Sequence, residues 1–161
     1  MPKLLLLDLD ETLVYSTTKP LSYTASFQYQ KYHVYKRPKL DWFIRSSSEK
    51  FNIGVWSAAD EDYVANICQK IFPNDIQLKI MWSQYWCKQE LDKFSNQTIY
   101  IKDFQAINRL GLDVNDVLLL DDKVHTSQVG NNSILQIKPF KGALDDNELE
   151  AVFNQILKSF T

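Results

Sequence analysis

Two distant stretches of the chain each drive an uninterrupted apolar run straight into acids: Lys3-Leu4-Leu5-Leu6-Leu7-Asp8-Leu9-Asp10 and Asp116-Val117-Leu118-Leu119-Leu120-Asp121-Asp122. A strand that is apolar at every position has no face to offer water, so it belongs inside a parallel sheet covered on both sides. Acids at the carboxyl end of such a strand stand on the edge where open α/β sheets bind ligands. The same feature therefore restricts both the fold and the chemistry.

Further strand-like runs fall at 51–56, 77–81, 98–101 and 133–137. Helical spacing lies between them. Pro38 opens a segment with Leu40, Phe43 and Ile44 on one face, and Ser57 precedes one in which Tyr63, Val64, Ile67 and Ile71 recur. Residues 103–110 and 146–160 read as helices too. Alternation of this kind predicts an α/β fold around a central parallel sheet. Two segments break the rhythm: 23–35, rich in Tyr, Phe and Thr like an antiparallel hairpin, and 81–100, aromatic without a period.

At 161 residues, 45% hydrophobic and 24% charged, the chain fits one globular domain over 1–161 with a sizeable core. Its net charge of -2 and scattered Lys and Arg give no footprint for a nucleic-acid backbone. The opening leucines are too few for a membrane span or a signal peptide, so an intracellular protein, cytoplasmic or nuclear, is expected. Cys68 and Cys87 lack CxxC spacing and read as packing thiols.

Asp8 and Asp10 are two apart, so on a continuing strand their side chains share a side, and Asp121 or Asp122 can join them from a neighbouring strand. Clustered carboxylates repel one another and are costly to desolvate unless a cation neutralises them. Hard oxygen donors select Mg²⁺, which keeps room for substrate phosphate. One acid after a strand most often caps a turn; two such clusters together point to phosphoryl chemistry.

Asp8-Leu9-Asp10-Glu11-Thr12-Leu13-Val14 resembles the DxDxT motif of haloacid-dehalogenase (HAD) superfamily phosphatases, and within them the FCP/SCP branch of small C-terminal-domain phosphatases. The resemblance implies Asp8 as nucleophile, Asp10 as proton donor and then base, and Mg²⁺ held by Asp8, the main-chain carbonyl of Asp10, and Asp121 with Asp122. It implies Thr12, Ser57 and Lys102 around the phosphate, with Val55-Trp56-Ser57-Ala58-Ala59 and Ile99-Tyr100-Ile101-Lys102-Asp103 similar to the family's second and third motifs. Ser57 with Asp60 also reads as a capping box. Lys36-Arg37-Pro38 is similar to the family's KRP and is read as structural, and His33 and His125 lie outside every motif.

The intervals between motifs leave room for a small hairpin flap and a short aromatic insert, and none for a large cap domain. A capless site is open to a phosphorylated protein segment. The resemblance accordingly implies a phosphoserine or phosphothreonine protein phosphatase, with Tyr63, Trp82 and Trp86 as candidate peptide contacts. Thr18 and Trp82-Ser83-Gln84 depart from the small phosphatases, which carry an aromatic and an Arg there. Two other readings stay open: a small-metabolite phosphatase, and a phosphopeptide-binding relative without catalysis.

Overall fold

A computed structural model describes residues 3–125, 128 and 131–160. Its frame is a five-stranded, all-parallel sheet. The strands are β1 (Leu4–Leu7), β5 (Asn52–Trp56), β6 (Met81–Trp82), β9 (Val117–Asp121) and β10 (Ile134–Gln136), in the order β10-β9-β1-β5-β6. The two acid-tipped runs are adjacent: Leu4 pairs with Val117 and Leu7 with Leu120. The ladder continues one step further, with the Asp8 N–H donating to the Leu120 carbonyl at 3.0 Å.

The four leucines of β1 are all buried and divide between two faces. Leu5 and Leu7 pack into the larger core with Phe43, Ile44, Val64, Ile67, Val152 and Ile156. Leu4 and Leu6 pack on the other side against Trp56, Trp82, Phe104 and Ile107. Both faces are covered, so a polar residue anywhere in the run would be desolvated without a partner.

The larger core is closed by α1 (Leu40–Ser48), α2 (Glu61–Ile71) and α4 (Glu148–Ser159), each burying one stripe. A shorter helix, α3 (Gln105–Arg109), covers the other face with Ala106 and Ile107. Two helix starts differ from the sequence reading. Pro38 stands before α1, whose first residue Leu40 follows Lys39 at φ 65°. Asp60, not Ser57, caps α2, accepting from the Tyr63 N–H at 2.9 Å.

Three short antiparallel strands, β2 (Val14–Thr17), β3 (Phe27–Tyr29) and β4 (Tyr32–Lys36), form a small flap in the order β2-β4-β3. The expected hairpin is its β3–β4 arm, and β2 is the addition. The strand expected at 77–81 contracts to β6, although Lys79 and Ile80 already bond to β5 through their backbones. Residues 98–101 form a strand outside the central sheet: β8 (Thr98–Ile101) pairs with β7 (Lys88–Leu91) as a two-stranded ribbon. β7 is exposed throughout, so that ribbon has no doubly covered interior to enter. Among the described residues no helix is long and apolar enough to cross a membrane.

Candidate active site

The carboxyl ends of β1, β5 and β9 open into a cavity of about 390 Å³ lined by Asp8, Asp10, Ser57, Lys102, Asp121 and Asp122. Asp8, Asp10, Ser57, Asp121 and Asp122 meet there because parallel strands put their carboxyl ends on one edge, and Lys102 joins them from the end of the separate β7–β8 ribbon. Asp8 sits one step past β1, Ser57 one past β5, Lys102 one past β8, and Asp121 and Asp122 at the end of β9.

Asp8 is held from two sides. Thr12 Oγ1 donates to its Oδ2 at 2.8 Å, and Lys102 Nζ reaches its Oδ1 at 2.7 Å. Thr12 is fully buried, and its hydroxyl also accepts from the Asp122 N–H at 3.1 Å. Its one proton is committed to Asp8, so Thr12 orients the acids, and it is not among the residues that line the cavity where the implied phosphate contact would be made. Ser57 does face the cavity, with its Oγ accepting from the Ala59 N–H at 3.1 Å.

Lys102 also reaches Asp121 Oδ2 at 2.6 Å. Burial works against its charge, and the carboxylates of Asp8 and Asp121 outweigh burial, so its pKa stands above the ordinary lysine value. Asp121 spends its other oxygen on the Lys123 N–H at 3.0 Å. Asp122 differs: its Oδ2 is buried with no partner. Burial, then the neighbouring charges of Asp8 and Asp121, push the Asp122 carboxyl up to about 8.

Carboxylate oxygens of Asp8, Asp121 and Asp122 lie within 4.8 Å of one another. With all three ionised, the carboxylates against the single ammonium of Lys102 would leave two negative charges in a buried space, and the raised pKa of Asp122 reflects its burial and that excess. An unpartnered oxygen, an all-oxygen donor set and a deficit of two positive charges fit a hard dication such as Mg²⁺. The Asp10 side chain is outside this set. Its carboxylate turns toward α2, where the Tyr63 hydroxyl donates to Oδ1. Burial raises the Asp10 pKa to about 6, with the Tyr63 bond opposing the rise. A carboxyl near neutrality at that height can both release and accept a proton.

A second cavity of about 400 Å³ adjoins the first, lined by Tyr15, Ser16, Tyr32 and Tyr63, and sharing Asp10, Ala59 and Lys123 with it. Tyr63 is therefore beside a groove, but only 6% exposed, and it touches Asp10 directly. Trp82, also 6% exposed, packs edge-on to Trp56 and flat beneath Trp86 at 4.7 Å, which corrects its reading as a peptide contact. Trp86 is 41% exposed and Tyr85 83%. Sequence reasoning missed that Lys123, His125 and Gln128 line the main cavity. Their one signal was position, in the loop that follows the second acidic pair.

Arg37 supports the site from behind. Its side chain is wholly buried and pairs with Asp146 at 2.8 Å. Its remaining nitrogens donate to the carbonyls of Thr12 at 3.0 Å and Lys138 at 2.7 Å. The turn it holds includes Glu11 at φ 61°, a conformation L residues rarely adopt.

The family model for NLI interacting factor-like phosphatases matches residues 3–161. Among curated proteins, the chain is 29% identical over 170 residues to CTD small phosphatase-like protein 2 of Dictyostelium discoideum, covering 91% of this chain and 28% of that one. It is 27% identical over 145 residues to the mitochondrial import inner membrane translocase subunit TIM50 of Arabidopsis thaliana, covering 90% of this chain and 34% of that one. The chain thus spans about a third of the length of these relatives. The solved structure of Fcp1, an essential RNA polymerase II CTD phosphatase, superimposes with a TM-score of 0.63 at 16% identity, over 98% of this chain and 48% of that chain. At that identity the likeness is one of fold. With the family matched from residue 3 to residue 161, the chain belongs to the NLI interacting factor-like phosphatases, of the FCP/SCP type within the HAD superfamily.

Proposed function

We propose that this chain is a Mg²⁺-dependent protein phosphatase working through an aspartyl-phosphate on Asp8. The observation that carries the reading is the Asp8 carboxylate, clamped by Thr12 and Lys102 in a cavity that Asp10 also lines. Asp8 attacks phosphorus; the bond to the leaving oxygen breaks, and that oxygen takes a proton from Asp10. Asp10 then accepts a proton from water as the water attacks the phosphorus and Asp8 is released. Ser57 and Lys102 receive phosphate oxygens. Bound Mg²⁺ would be held by Asp8, the Asp10 carbonyl and Asp122, and would neutralise phosphate charge.

Kinship alone leaves catalysis open, because the relatives include one named as a phosphatase and one named as a translocase subunit. The residues favour catalysis: binding a phosphopeptide needs no second carboxyl raised to about 6 beside a buried nucleophile. Two adjoining open cavities favour a phosphoserine or phosphothreonine peptide over a small metabolite. A panel of phosphopeptides, sugar phosphates and nucleotides tests this. The peptides should give the highest kcat/KM, and a sugar phosphate turned over faster would move the assignment to small-metabolite chemistry.

Metal binding has a readout independent of turnover. Between the ordinary value of 3.8 and about 8, folded Asp122 keeps a proton that the unfolded chain has lost. Its contribution to stability therefore falls as pH rises through that window. Mg²⁺ competes with this proton. At one fixed concentration, about ten times its Kd at pH 8, Mg²⁺ should raise Tm by roughly 3–6 °C at about pH 8 and by clearly less at about pH 5. An equal shift at both pH values would remove Asp122 from the ligand set.

The exposed ring of Tyr85 sits on a turn tied to the site, since the Gln84 N–H donates to the Ala59 carbonyl at 2.8 Å. Tyr85→Ala should raise KM for a phosphopeptide by about threefold to tenfold and leave p-nitrophenyl phosphate hydrolysis unchanged. Equal loss on both substrates would detach this surface from peptide recognition.

A further inference from the structure

Asp10 stands on the wall between the two cavities and belongs to both linings. Its Oδ1 accepts a hydrogen bond from the Tyr63 hydroxyl, and among the described residues no other side chain bonds to the carboxylate. A phenol has one proton to give. With that proton directed at Asp10, the bond of 2.5 Å between Tyr63 and Ser16 must be donated by Ser16. The result is a directed chain: Ser16 to Tyr63 to Asp10.

Every member of that chain is anchored by a different element. Tyr63 lies in the first turn of α2, its N–H bound to the capping Asp60 at 2.9 Å. Its ring meets Tyr29 of β3 edge-on at 5.7 Å and Tyr32 of β4 at 6.2 Å. Ser16 belongs to β2. A helix and a three-stranded flap therefore converge on one carboxylate oxygen. A ring buried for packing alone needs neither hydroxyl contact.

We propose that Tyr63, backed by Ser16, is a positioning residue that locks Asp10 Oδ1 so that Oδ2 faces the leaving group as proton donor and then faces the attacking water. The inference rests on the proposed aspartyl-phosphate chemistry, and it gives the flap a part in it. The proton delivered to the ester oxygen comes from Oδ2, because Oδ1 is occupied by the phenol. Without the lock, Asp10 samples orientations in which neither oxygen reaches the ester. Substrates whose leaving oxygen needs protonation then suffer most.

The test uses Tyr63→Phe, which keeps the ring and deletes the hydroxyl, with phenyl phosphates carrying better and poorer leaving groups. Because kcat/KM reports phosphoenzyme formation, it should fall by about tenfold for unsubstituted phenyl phosphate and by less than about twofold for the p-nitro compound. In an Asp10→Asn background the same change should alter kcat/KM by less than about twofold, since there is no donor left to position. Ser16→Ala, which leaves the ring in place, should shift the leaving-group dependence the same way by a smaller factor, and it decides the matter if Tyr63→Phe does not fold.

A uniform loss across the series with a lower Tm would make Tyr63 structural. A loss confined to phosphopeptides would make it a substrate contact, and no change would leave it a bystander; each overturns the inference. Failure of the underlying chemistry is seen separately, as an Asp8→Asn protein that retains the wild-type rate.

Discussion

Asp8→Asn should lower kcat on p-nitrophenyl phosphate by more than about a thousandfold while Tm stays level or rises. The amide keeps the volume of the side chain but has no carboxylate to attack phosphorus. The Tm expectation follows from charge. Asp8 is one of three acids whose oxygens crowd within 4.8 Å, and it is a cause of the raised pKa values of both Asp121 and Asp122. Removing it relieves that repulsion, and Lys102 keeps Asp121 as its partner at 2.6 Å. A variant that retained a tenth or more of wild-type turnover in pure form would contradict the covalent route. A collapse in Tm would show that Asp8 is chiefly structural.

Arg37→Met should destabilise the protein by about 3–5 kcal/mol, the cost of breaking a buried ion pair from one side. Its guanidinium binds both oxygens of Asp146, at 2.8 and 2.9 Å, and also the carbonyls of Thr12 and Lys138. Methionine fills much of the space but donates nothing, which leaves Asp146 Oδ1 with only the Glu148 N–H at 3.2 Å and the carbonyls of Thr12 and Lys138 without the guanidinium. Lysine should not rescue, because one ammonium cannot reproduce the planar fork. Thermal or denaturant unfolding measures the loss, and a cost below about 1 kcal/mol would mean that water replaces the guanidinium at little expense. Turnover should fall as well, since Arg37 holds the turn on which Glu11 keeps its φ of 61° and from which Thr12 orients Asp8.

How far the sequence reaches is visible in single residues. Asp8, Asp121 and Asp122 are legible because two runs apolar at every position belong to buried parallel strands whose acid-tipped ends share one edge; that the two strands are neighbours is seen only in the pairing of β1 with β9. Ser57 and Lys102 are what the family resemblance implies, each standing just after a strand, although Lys102 arrives from a two-stranded ribbon outside the central sheet. Periodicity assigns Tyr63 to the buried face of α2, yet it does not say how deep a side chain goes. Reach to Asp10 depends on β2 and the flap, elements defined by long-range pairing.

Trp82 and Trp86 are indistinguishable in a segment without a period; stacking at 4.7 Å puts one beneath the other. Proline is a good first residue for a helix, but the residue at 37 must reach Asp146, and the helix begins only after the chain has turned through Lys39. Ser and Asp three apart both suit a cap, and the choice went to Asp60 because Ser57 is still bonded to the sheet through its N–H. Lys123 and His125 line the cavity from the segment that follows Asp122, which carries no period or motif in the sequence.

The central claim is that phosphate passes through Asp8. It is tested most directly by mixing the protein with Mg²⁺ and a phosphoryl donor, quenching in acid during turnover, reducing with borohydride and mapping the modified residue by mass spectrometry. A trapped acyl phosphate is reduced to homoserine, and the label should fall on Asp8 alone, vanish in Asp8→Asn, and accumulate in Asp10→Asn with p-nitrophenyl phosphate as donor. A label on Asp121 or Asp122, or steady turnover with no label on any aspartate, would contradict the account.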